Sequence, residues 1–197
     1  MTRDRLARLG GLCGAIGPVV SLGAIVASIA LSPWFNWHRD ALSDMGVDLA
    51  VAPLFNGAMV AGGLFSLAFA AGLHRATKPG LLVSLGALAL GIGATGLALV
   101  GVFPEDRGRI HFLVAAAYFT LTPLGVLLFG VALLRRRATL AGALSIAAAV
   151  AALIAIRCVP HDGLAVPEML AAVVLSSWTF SMGMRLLIGE PAAAQGS

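Results

Sequence analysis

Six long apolar runs alternate with short polar stretches along the whole chain. Each run contains about the 20 residues that a helix needs to cross the hydrocarbon core of a bilayer. None of them alternates apolar and polar residues as the strands of a membrane barrel do. We therefore interpret the chain as an all-α integral membrane bundle of three helical hairpins, forming a single domain over residues 1–197. The pattern predicts six transmembrane helices, near 9–32, 53–74, 80–103, 110–134, 138–158 and 165–188.

The composition supports a membrane protein and argues against a nucleic-acid-binding protein. Of the 197 residues, 59% are hydrophobic and only 11% are charged, and the mean hydropathy of +0.97 lies far above the balance of a soluble domain. The net charge of +4 comes from short basic clusters at the ends of apolar runs, without the mixed aromatic and basic surface that binds nucleic acid. We expect membrane lipids as partners, no nucleic acid, and a homo-oligomer as an open alternative.

The charged residues divide between the two ends of the predicted helices. By the positive-inside rule, the end with most lysines and arginines faces the cytoplasm, which predicts a multi-pass protein of the cell membrane with both termini cytoplasmic. Nine of the thirteen basic residues lie at that end: Arg3, Arg5, Arg8, Arg75, Lys78, Arg135, Arg136, Arg137 and Arg185. The opposite, outer side carries seven of the nine acids and three of the four histidines: Asp40, Asp44, Asp48, Glu105, Asp106, Asp162, Glu168, His38, His111 and His161.

The acids and histidines of the outer side allow two interpretations. In the first, selection acted only on the basic residues and the acids remained outside without a role. In the second, the outer helix ends share a polar pocket, since ionisable residues at the membrane edge are functional candidates by default. The second interpretation also accounts for the histidines. It predicts Asp44, Glu105 and His111 as catalytic groups, and as substrate-binding groups Ser43, Arg157, His161 and Glu168.

A divalent metal is an open alternative at this pocket. Histidine and carboxylate ligands suit zinc or a similar ion, and His111, His161 and Glu105 are the candidate ligands. Two histidines and one acid would leave a coordination position for an activated water. The sequence contains no HExxH motif and no cysteine cluster, so the spacing does not require a metal. A neutral His111 that bonds only to a neighbour in its helix is the alternative.

Proline and aspartate mark two of the outer connections in the same way. Pro104 and Pro160 each follow an apolar run, and each is followed two residues later by an aspartate. Proline cannot continue a hydrogen-bonded helix, whereas an aspartate accepts hydrogen bonds from the free amides at the start of a helix. We expect Asp106 and Asp162 to cap the helices that follow them.

Several short motifs carry a family resemblance. They are LSDMG (Leu42 to Gly46), Asn56 early in the second apolar run, and GVFPE (Gly101 to Glu105) followed by His111. With them the chain resembles the prokaryotic six-helix membrane family catalogued as "domain of unknown function 998". The resemblance implies a six-helix fold and no particular reaction. It marks as signature positions Ser43, Asp44, Asn56, Pro104, Glu105 and His111. The resemblance thereby adds Asn56 to the predicted substrate-binding groups.

Three hypotheses for the function follow. The first is an enzyme or binding protein whose outward-facing polar pocket binds or modifies a lipid or another amphipathic substrate. The second is a small transporter, with the acids and histidines as a proton or cation relay. A transporter needs polar groups near the membrane midplane, and we expect few there beyond Thr95, Thr120 and Thr122, which favours the pocket. The third is a structural or partner-binding protein without chemistry.

Overall fold

A computed structural model describes residues 5–78, 80–158 and 162–189. Six long helices account for most of them, and two short 3₁₀ turns lie in the connections. All six helices are long and apolar enough to cross a membrane, which confirms the predicted fold class, and each helix end lies within four residues of its predicted position. The helices are α1 (Arg5–Ala30), α2 (Ala52–Ala76), α3 (Leu81–Val102), α4 (Arg109–Arg135), α5 (Thr139–Cys158) and α6 (Ala165–Ile188), and the 3₁₀ turns are Leu42–Gly46 and Glu105–Arg107.

The helices form a ring in chain order. Each helix packs against the next one along the chain, and α6 closes the ring by packing against α1. We call the end with residues 31–51, 103–108 and 162–164 the polar end, and the end with Arg5, the connections after α2 and α4 and Ile188 the basic end.

Glycines bring α1 close to both of its neighbours in the half of the ring toward the basic end. A Cβ atom on Gly72 of α2 would lie 2.6 Å from the Cα atom of Gly10, and a Cβ atom on Gly183 of α6 would lie 2.6 Å from the carbonyl carbon of Gly14. Small residues allow such backbone approach in membrane helices, where packing and not the exclusion of water drives association.

An apolar core fills this half of the bundle. Phe69, Phe129 and Trp178 lie in it at 6% exposure or less, and the rings of Phe69 and Trp178 pack edge to face with centroids 5.8 Å apart. The Trp178 indole N–H donates a hydrogen bond of 2.9 Å to the buried hydroxyl of Ser145 in α5, so the polar atom of this large side chain is satisfied inside the core.

The polar end is closed by the long connection between α1 and α2. The backbone N–H of Gly163 donates to the carbonyl of His38 at 2.7 Å, and the N–H of Ala165 donates to the carbonyl of Asp40 at 2.9 Å. These two bonds attach the connection between α1 and α2 to the start of α6, which belongs to the third hairpin. The first and third hairpins are therefore joined at this end.

The prediction that Asp106 and Asp162 cap the following helices is wrong. The residues before α4 and α6 are Gly108 and Leu164, and neither helix start receives a side-chain hydrogen bond. Asp106 instead lies exposed, 3.7 Å from the guanidinium of Arg107. The 3₁₀ turn at Glu105–Arg107 and the positive φ of Gly108 (55°) redirect the chain before α4 begins, so Asp106 lies one turn too early to reach its amides.

Candidate functional site

The Leu42–Gly46 turn is hydrogen-bonded both to the connection between α3 and α4 and to the first turn of α6. The hydroxyl of Ser43 donates a hydrogen bond of 2.6 Å to Oε2 of Glu105, which precedes α4. The backbone N–H of Leu42 donates a hydrogen bond of 2.8 Å to Oε2 of Glu168, in the first turn of α6. Two neighbouring residues of one turn thus hold two carboxyl groups that lie 62 and 126 positions further along the chain.

Asp44 and Met45 shape this turn from within. The Asp44 carboxylate accepts a hydrogen bond of 2.8 Å from the backbone N–H of Ala41 and closes the turn. Met45 is completely buried and anchors the turn in the apolar core below it. Asp44 therefore has a local structural bond in addition to its position beside Glu105.

Asn56 fixes the turn against the neighbouring helices. Its side-chain amide donates a hydrogen bond of 2.8 Å to the carbonyl of Gly46, and a Cβ atom on Gly46 would lie 2.7 Å from Oδ1 of Asn56. Gly101 of α3 packs against the backbone carbonyl of the same asparagine. Asn56 was predicted to bind substrate, but the structure places it between the turn, α2 and α3 and not on the wall of the cavity described below.

His111 lies one turn inside α4 and is only 8% exposed. Its Nδ1 atom is 2.8 Å from the backbone carbonyl of Phe103. Because a carbonyl can only accept a hydrogen bond, Nδ1 carries a proton, and a neutral ring then presents the lone pair of Nε2. Within the part of the chain that the structure describes, Nε2 has no hydrogen-bond partner, and the ring lines the cavity.

A cavity extends from this cluster into the bundle. Ser43, His111 and Glu168 line its polar end, and every helix except α5 contributes to the described part of its wall. It reaches Thr122 on α4 and Thr179 on α6, each eleven residues past the polar rim, which at 1.5 Å per residue is about 16 Å. It is narrow, with a cavity volume of about 90 Å³.

Directly below the polar rim the wall of the cavity is apolar, but the inner part of the wall, deeper in the bundle, is polar. Hydroxyl groups from four helices line that inner part, near the middle of the helices. The expectation of almost bare helix middles is therefore wrong, because single serines among alanines and leucines are inconspicuous in the sequence. The spacing of Ser176 and Thr179, three residues apart on one face of α6, was the available signal. The hydroxyl groups of the inner part of the cavity belong to Ser21, Ser66, Tyr118, Thr122, Ser176 and Thr179.

The pKa of Glu105 is raised above its ordinary value of 4.5. Burial is the largest cause, because it penalises the charged carboxylate. The hydrogen bond from Ser43 opposes this shift, and the negative charge of Asp44 adds to it. Glu105 thus holds a proton more readily than an exposed glutamate does, and lies behind Ser43 at the edge of the cavity.

The remaining predicted site residues do not join the cluster within the described structure. Arg157 lies exposed at the end of α5, without an ion pair to any residue that the structure describes. His161 lies outside the described residues, so its predicted role stays a prediction. No group of three histidines, cysteines or acids that could hold a metal occurs among residues 5–78, 80–158 and 162–189, and that search does not include His161.

Comparison with known proteins gives the family of the chain. The family model described as "Protein of unknown function (DUF998)" matches residues 15–185, so the chain belongs to this family. The match extends from the first half of α1 to the last turn of α6 and includes every residue of the polar cluster. No curated protein and no solved structure matched the chain.

Proposed function

We propose that this member of the DUF998 family binds a single-chain amphiphile in the cavity, with the polar head at Ser43, His111 and Glu168 and the chain along the apolar wall. The observation that carries the proposal is the cavity itself, which is narrow and has an apolar stretch of wall directly below a polar rim. Its depth of about 16 Å is close to half of the roughly 30 Å hydrocarbon core, which is the length of one lipid leaflet.

The chemistry of the rim favours a head that donates hydrogen bonds, such as an amine. Glu168 and Ser43 line the rim, Glu105 is bonded to Ser43, and the lone pair of His111 Nε2 is an acceptor. No arginine or lysine is among the described residues of the wall. A phosphate or carboxylate head would meet carboxylates without a compensating cation, and unpaired charges are costly in a partly dry site.

Binding of dodecylamine, whose extended chain matches the depth of the cavity, to the purified protein tests this proposal. We expect saturable binding that Ala172→Trp abolishes, because Ala172 lies on the cavity wall. The matched control is Val173→Trp at the next residue of α6. Val173 is 43% exposed on the outside of the bundle, so this variant should bind as the unaltered protein does. Dodecanoate should compete poorly. Equal binding by both tryptophan variants would rule the cavity out as the site.

A second candidate is modification of the bound amphiphile, favoured by the orientation of His111. The bond to the Phe103 carbonyl directs the Nε2 lone pair at the cavity, where it would remove a proton from an attacking water. We expect any hydrolysis of a long-chain ester to disappear in His111→Ala, whereas binding of dodecylamine, which Ser43 and Glu168 also support, should weaken without being abolished. Hydrolysis that survives this substitution would exclude His111 as the base.

The same proposal includes the location and orientation of the bundle. The distribution of arginine and lysine supports a cell-membrane protein with cytoplasmic termini and an outward-facing polar end. In a variant without Cys13 and Cys158, a membrane-impermeant thiol reagent should label Arg107→Cys from outside the cell and leave Thr139→Cys unlabelled. The reverse pattern would turn the cavity toward the cytoplasm.

A further inference from the structure

The hydroxyl groups of the inner cavity differ from other hydroxyl groups in the same helices. Ser177 of α6 donates to the carbonyl of Val173 at 2.7 Å, and Ser145 of α5 donates to the carbonyl of Ala141 at 2.7 Å. Such bonds to the carbonyl four residues earlier are the usual way in which serine and threonine are satisfied within a helix. Thr95 and Ser181 make the same bond, at 2.9 and 2.7 Å.

The hydroxyl groups of the inner cavity have no hydrogen-bond partner among the described residues. This holds for Tyr118, Thr122, Ser176 and Thr179 on α4 and α6, and also for Ser21 and Ser66 on α1 and α2. Ser176 and Ser177 are consecutive residues of one helix, so the difference between them arises from the surface that each one faces. We call the six residues of the inner cavity the hydroxyl floor.

An unpartnered hydroxyl group in the middle of a membrane protein is unfavourable, because it has lost its hydrogen bonds to water without gaining others. A ligand group that both donates and accepts hydrogen bonds would remove this cost. No acidic or basic residue among those described lines the floor, so a charged group would remain uncompensated there. The complementary group is polar and uncharged.

The distance between the two polar regions sets the position of that group in the ligand. Tyr118 lies seven residues past His111, and Ser176 lies eight residues past Glu168. At 1.5 Å per residue, the floor begins roughly 10–12 Å below the rim, and Thr179 extends it to about 16 Å. The wall between them is apolar, with Leu97 and Ala115 among its residues.

We propose that the hydroxyl floor is a second polar subsite, which binds an uncharged hydroxyl or carbonyl group on the chain of the amphiphile. The ligand class is then a chain that is polar at the head and again near its middle or far end. This inference rests on the proposed function, because it requires the head to lie at the rim.

A pair of probes that differ by one hydroxyl group tests the inference. The first is dodecylamine, and the second is dodecylamine with a hydroxyl group about two thirds of the way along its chain. We expect the hydroxylated amine to bind about fivefold more tightly, as one net hydrogen bond of about 1 kcal/mol predicts. In a variant that combines Tyr118→Phe, Ser176→Ala and Thr179→Val, this preference should fall below about twofold.

Ser177→Ala is the matched control, because it removes a hydroxyl group that already has a partner in its own helix. It should keep the full preference. If both amines bind the unaltered protein equally, the floor holds only water and the subsite is refuted, while the proposed function stands. A preference that persists in the triple variant also refutes the subsite. If neither amine binds, the proposed function fails, and the subsite fails with it.

Discussion

The two halves of this bundle use the same helices in opposite ways. Toward the basic end, glycine contacts such as Gly10 against Gly72 close the ring, and Phe69 and Trp178 fill its centre. Toward the polar end, the helices leave a cavity between them, and the connections are joined by side-chain hydrogen bonds. The comparison indicates that the packed half provides the rigidity on which the open half depends, because an unfilled cavity contributes no packing energy of its own.

The largest expected effect is at the glycine contact of the packed half. Gly72→Val places a Cβ atom 2.6 Å from the Cα atom of Gly10, and two backbones cannot relax as a flexible side chain can. We expect a loss of about 3 kcal/mol in the free energy of unfolding, measured by denaturant titration in detergent. Gly57→Val, on the same helix, is the control, since a Cβ atom there would meet nothing within 4 Å. Equal losses would show that helix propensity dominates over the contact.

Two consecutive alanines of α6 give the next largest difference. Ala171 is completely buried in the packed core, whereas Ala172 lies on the cavity wall. We expect Ala171→Leu to cost about 2 kcal/mol through overpacking, and Ala172→Leu to be neutral or stabilising because the added atoms enter free space. Thermal unfolding of the two variants side by side measures the difference. Destabilisation by Ala172→Leu as large as that by Ala171→Leu would mean that the cavity closes in solution.

The indole of Trp178 gives an effect of intermediate size. Trp178→Phe keeps an aromatic ring against Phe69 but removes the hydrogen bond to Ser145. We expect the free energy of unfolding to fall by about 1 kcal/mol. Trp37→Phe, at the polar end, is the control, because Trp37 is 39% exposed and its edge-to-face contact with Phe35 can persist. A loss at Trp37 equal to that at Trp178 would contradict the assignment to the buried bond.

The smallest expected effect is the pH dependence that Glu105 confers. Its raised pKa means that the folded state holds this proton at pH values where the unfolded chain has released it. The associated stability is present below about pH 4.5 and is lost as the pH rises through the folded-state pKa. Glu105→Gln keeps an acceptor for Ser43 without the charge, so its thermal midpoint should change less with pH above 4.5. An unchanged pH profile in Glu105→Gln would show that Glu105 does not control it.

The bundle could be predicted closely from the sequence, and the acidic cluster in part. Ser43, Asp44, Glu105, His111 and Glu168 were proposed from residue type and side of the membrane, and the structure brings them to one end. Their pairing could not be predicted, because the Ser43–Glu105 bond depends on how the first and second hairpins pack. Arg157 was assigned to the same pocket only because it lies on the same side, and its helix turns it outward.

Hydrophobic run length by itself determined the six helices and their ends, since a helix in lipid must satisfy its backbone within its own segment. Only the tertiary structure decided which hydroxyl groups face the cavity. Ser176 and Ser177 are the same residue type in the same apolar run, and they differ only in rotation about the α6 axis. That rotation is set by the packing of Gly183 against α1 and of Trp178 against α5. A polar residue in a membrane helix acquires its role from the neighbour it faces, and long-range packing chooses that neighbour.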